Sequence, residues 1–102
     1  PHLLKHPADP IKAHKINLLP LCSLKGRKLQ AELFLSTLAL CESSSYSQDY
    51  VFSQNWFQAK HLLLSYQTNS RRVPSADRVG QMARAAGART IPLGKNGHYA
   101  FR

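Results

Sequence analysis

The chain has 102 residues, 43% of them hydrophobic, and a formal net charge of +9. That length suits one domain with one modest core, and no apolar run approaches the roughly 20 residues of a membrane-spanning helix. So large a positive balance in so short a chain favours a polyanionic partner, nucleic acid first, over plain solubility.

The charge is unevenly laid out. Residues 1–30 carry six Lys/Arg against one Asp, residues 31–66 one Lys against three carboxylates, and residues 67–102 seven Lys/Arg against one Asp. Residues 1–26 contain Pro1, Pro7, Pro10 and Pro20 with lysines and histidines between them, and read as an extended basic arm. Within it "INLLPL" suits a short strand or turn laid on the domain surface. His2 and His6 have i, i+4 spacing, with His14 and Cys22 downstream, but the nearby prolines argue against a helix that would present them to a metal.

Residues 27–102 read as the folded domain. The first predicted helix runs from Arg27 to Cys41, where Leu29, Leu33 and Leu40 share a stripe with Phe34, Leu38 and Cys41 beside it. The polar stretch "ESSSYSQ" follows as a loop. A second helix is predicted from Gln54 to Tyr66, on a stripe of Trp56, Ala59, Leu63 and Tyr66, with Ser53 as its N-cap. Trp56 and the Leu62–Leu63–Leu64 run read as core.

The third predicted helix, Ala76 to Ala86, has the clearest signals. Pro74 sets its entry, Ser75 is a good N-cap, and Asp77 suits the first turn of the helix dipole. Val79, Met82, Ala83 and Ala86 share one arc, Arg78, Gln81 and Arg84 lie outside it, and Gly87 is placed to end the helix as a C′ residue. Gly80 in mid-helix implies close approach of a neighbouring backbone.

"ARTIPLGKNGHYAFR", residues 88–102, then reads as a β-hairpin. Ile91, Leu93, Tyr99 and Phe101 face one core only if the loop has an odd number of residues. A five-residue loop, Gly94 to His98, would pair Leu93 with Tyr99 and lift Lys95, Asn96 and His98 outward. Pro92 has no N–H to donate, so its strand should be an edge or turn that position to solvent.

Three helices followed by a hairpin give a mainly α fold with a small β-hairpin, the layout of a winged helix-turn-helix. From Val73 onward the chain resembles winged-helix domains of the RFX type and the C-terminal origin-binding domains of some phage and plasmid primase–helicases. Tyr66, Ser75, Gly80, Arg84, "LGKNG" and "HYAF" carry the likeness. The resemblance implies duplex DNA bound through the third helix and the wing, with Arg78, Gln81 and Arg84 as helix contacts and Lys95, Asn96 and His98 as wing contacts. Arg71, Arg72, Arg89 and Arg102 complete the expected nucleic-acid-binding set, the first three as phosphate contacts.

No enzyme is expected. The five carboxylates form no spaced pair, no Ser/His/Asp or Cys/His arrangement occurs, and no phosphate loop is present. Neither a cofactor nor a metal is expected. The leading expectation is a DNA-binding module of a replication or regulatory protein, in the nucleus or nucleoid. The alternative is a small basic structural subunit of a large assembly, such as a mitochondrial ribosome or respiratory complex, meeting rRNA or partner subunits. The opening Pro1 and the Pro-rich arm suit that alternative.

Overall fold

A computed structural model describes residues 1–24, 26–68 and 77–102, apart from the side chains of Leu21 and Cys22. The fold is mixed α/β, not mainly α. Its centre is a four-stranded sheet of β3 (Leu33–Thr37), β4 (His61–Gln67), β5 (Arg89–Leu93) and β6 (Gly97–Phe101), in the order β3-β4-β6-β5. β3 and β4 are parallel, and β6 runs antiparallel to both of its neighbours. A second, smaller sheet pairs β1 (His2–Leu3) with β2 (Asn17–Leu18) in parallel, ahead of a single helical turn, α1 (Leu21–Leu24).

The three-helix, winged-helix expectation therefore fails at its first two helices. The segment predicted as helix 27–41 contains strand β3, and the segment predicted as helix 54–66 contains a 3-10 turn (Trp56–Gln58) and strand β4. The physical reason lies in "LFL" and "LLL". A strand with apolar side chains on both faces shows consecutive apolar residues, and short apolar runs fit a helical stripe as well as a pleat. Burial along β4 alternates, with Leu62, Leu64 and Tyr66 buried and His61 and Leu63 exposed, which is the period of a strand.

Between β3 and β4 the chain crosses over through α2 (Ser45–Ser53), which begins inside "ESSSYSQ", the stretch that reads as a polar loop. Ser44 caps it, its hydroxyl accepting from the Ser47 N–H at 3.3 Å. Gln48 is fully buried, and its amide nitrogen donates to the carbonyls of Leu40 and Ser43. After α2, Asn55, Trp56, Phe57 and Gln58 all have positive φ, between 51° and 56°. Left-handed backbone costs roughly 1–2 kcal/mol per non-glycine residue. Offsetting that cost, Trp56 is buried edge-on against Phe34 at 5.5 Å and Phe57 stacks on Phe34 at 6.1 Å.

The predicted third helix is present as α3 (Arg78–Ala85), with Val79 and Ala83 buried and Met82 and Ala86 packed on the core as expected. Gly87 follows as the C′ residue with φ +90°, while Pro74 and Ser75 lie outside the described residues. α2 and α3 pack on the same core and are bridged by an ion pair between Arg78 and Asp49 at 2.6 Å. Beneath them Leu62, Leu64, Tyr66 and Ala100 form the core with Trp56 and Val79.

The hairpin of β5 and β6 is also present, with β5 at the sheet edge as Pro92 requires. Its register differs from the expected one by two residues: Ile91 pairs with Tyr99 and Leu93 with Gly97, so the loop is Gly94–Asn96. Gly97 permits this closure, because a Cβ there would sit 2.6 Å from the Leu93 carbonyl oxygen. A shift of two keeps every side chain on its face, so Ile91, Leu93, Tyr99 and Phe101 do share one face. That face points away from the core.

Candidate functional site

Both helices cover the same side of the sheet, which leaves the other side open. Leu33, Leu35, Leu63, Ile91, Leu93, Tyr99 and Phe101 all project from it and are exposed. Strand pairing arranges them in rows. Leu35, Leu63, Phe101 and Arg89 stand abreast across the four strands, and Thr37, Ser65, Tyr99 and Ile91 form the next row. Tyr99 and Phe101 thus sit at the middle of the sheet on β6, 40% and 36% exposed. Their expected place in the core is corrected here: the residue between them, Ala100, is the one that is fully buried.

Two exposed rings two residues apart on a strand stand about 6.7 Å apart. That is about twice the 3.4 Å rise of a base-stacked strand. An unstacked, extended single strand can lay one base on each ring, and a duplex cannot. Arg89 lies opposite Phe101 on the same face, and Lys95 sits exposed at the hairpin loop. Among the described residues neither is in an ion pair, and the paired rows of this face hold no carboxylate.

The sequence-predicted contacts do not converge on one surface. Gln81 and Arg84 are exposed on α3, and Arg78, beside them, is engaged with Asp49 and lies 5.1 Å over the Phe52 ring. All three belong to the helix-covered side, while Arg89 points to the open one. Lys95 and Asn96 do stand out at the loop, and the Asn96 carbonyl accepts from the Thr68 N–H at 3.0 Å, tying the loop to the end of β4. His98 is not lifted out. It faces the helices, half-buried, with its ring stacked on Tyr66 at 5.4 Å. Arg102 donates to the carbonyls of Ala86 (2.7 Å) and Ala59 (2.5 Å). Arg71 and Arg72 lie outside the described residues.

Leu33, Leu63, Ile91, Leu93, Tyr99 and Phe101 are residues that sequence reasoning took for core. One signal was available: helices amounting to a single layer cover only one face of a sheet, so strands apolar on both faces leave one apolar face open. No helix among the described residues is long and apolar enough to cross a membrane. No family model, curated protein or solved structure matches this chain.

Proposed function

We propose that the protein binds single-stranded nucleic acid across the open face of its sheet. Tyr99 and Phe101 stack on unpaired bases, and Arg89 and Lys95 contact the phosphates. The observation that carries this reading is the exposed Tyr99–Phe101 pair on a central strand, beside Arg89, in a chain of net charge +9. Sheets with exposed aromatic side chains hold unpaired bases by stacking, at about 1–3 kcal/mol per base. This replaces duplex recognition by a helix and a wing, whose three-helix fold is absent. Competition anisotropy against a labelled single strand tests it. The unlabelled single strand should compete at much lower concentration than the matching duplex, and affinity should fall with salt. Equal competition by the duplex would overturn the reading.

A second reading keeps the alternative of an assembly subunit. Five aliphatic side chains, Leu33, Leu35, Leu63, Ile91 and Leu93, share the open face, and an apolar patch of this kind also suits a protein partner. Under that reading Leu35→Lys abolishes assembly while single-strand binding is absent in every variant.

A further inference from the structure

A cleft of about 760 Å³ lies where the left-handed turn meets the ends of the strands. Lys28, Lys60 and Arg102 line it together with Asn55 and Gln58, and none of its lining residues is acidic. We propose that this cleft binds a phosphate monoester, either free or at the end of a bound strand. The inference goes beyond the open-face reading, because it concerns a separate cleft that can take a phosphate while the open face is empty.

Three observations converge on it. The first is charge: three cationic residues line one concavity. Arg102 uses two N–H groups on the Ala59 and Ala86 carbonyls, which fixes the guanidinium plane and leaves three of its five donors for an anion. The second is the looseness of the one competing carboxylate among the described residues. Glu32 stands 3.6 Å from the Lys60 ammonium, with both side chains well exposed, so a phosphate can take Lys60 over at little cost. Lys28 pairs with no carboxylate among the described residues.

The third observation is backbone strain. Four successive left-handed residues are unusual, and such strain concentrates at ligand sites. Here the turn sends Trp56 into the core while Asn55 and Gln58 line the cleft. Among the described residues the side chain of Asn55 makes no capping bond to the turn that follows it, and its amide can donate to an anion. The cleft also opens beside the aromatic row: Lys60 directly precedes β4, and Arg102 directly follows Phe101.

Titration of the ¹⁵N-labelled protein with inorganic phosphate, and separately with a nucleoside 5′-monophosphate and its unphosphorylated nucleoside, tests the proposal. Both phosphates should move the amide signals of residues 55–59 and 102, and the nucleoside should not. Lys28→Ala with Lys60→Gln should weaken phosphate binding at least tenfold with an unchanged circular dichroism spectrum. Glu32→Gln should strengthen it severalfold by releasing Lys60, an effect that a merely structural role would not produce. A 5′-phosphorylated oligonucleotide binding more tightly than its 5′-hydroxyl form would assign the phosphate to a strand end, and equal binding of the two would assign it to a free ligand. Shifts confined to other residues, or phosphate affinity unchanged in the double lysine variant, would overturn the site. Tyr99→Ala retains phosphate binding under this proposal, so failure of the open-face reading is read separately.

Discussion

Gly80 lies under the ring of Tyr66, and a Cβ built there would sit 2.5 Å from the ring edge and 2.6 Å from its hydroxyl oxygen. The close neighbour implied by a mid-helix glycine is thus a side chain and not a backbone. Alanine would improve helix propensity by about 1 kcal/mol. Tyr66 is 1% exposed and has little room to yield, and overpacking costs about 1–3 kcal/mol. Gly80→Ala should therefore destabilise the protein, by up to about 2 kcal/mol in a urea titration, against its helix propensity. Cys41 offers a second test at this scale. Burial pushes its thiol pKa up, and its Sγ–H donates to the Leu38 carbonyl at 3.1 Å. A raised pKa means less thiolate at any pH below it. In a Cys22→Ser background, alkylation at pH 8 should be far slower in the native protein than in urea, and equal rates would contradict the packing.

At the scale of elements, β4 separates its two faces within three consecutive leucines. Leu62 and Leu64 are buried at 2% and 1% exposure, and Leu63 is 43% exposed. Leu64→Ala should cost about 2–5 kcal/mol of folding stability, and Leu63→Ala under about 1 kcal/mol. A similar loss for both would mean that the open face is covered. The same run explains which elements could be read from the sequence. α3 was legible because Val79, Met82, Ala83 and Ala86 fall on one arc and Gly87 ends it. The hairpin was legible because apolar positions two apart restrict its loop to odd lengths, and Pro92 marks an edge. β3 and β4 were not legible. They contain one β-branched residue, Thr37, so leucine's helix preference outweighed their alternation until strand pairing decided it. The open face was hidden for the same reason, since Leu33, Leu35 and Leu63 can be assigned to a face only once they are known to be in strands.

For the whole molecule, charge and shape divide the work. Under the proposed function, the net charge of +9 supplies salt-dependent attraction to a polyanion, and the open sheet supplies a preference for unpaired bases. Each phosphate contact on a single strand contributes about 0.7 to the slope of log affinity against log salt. Arg89→Gln and Lys95→Gln should each lower that slope by about that amount while leaving the preference for single strands over duplex intact. The aromatic pair should behave in the opposite way, changing affinity with little change in slope. The most direct measurement is therefore fluorescence anisotropy of a short labelled single strand titrated with the native protein, with Tyr99→Ala and with Phe101→Ala, each variant first shown to keep its circular dichroism spectrum. At about 1–3 kcal/mol per stacked base, each substitution should weaken binding by at least about fivefold at constant salt. Native-like binding by both variants would contradict the account.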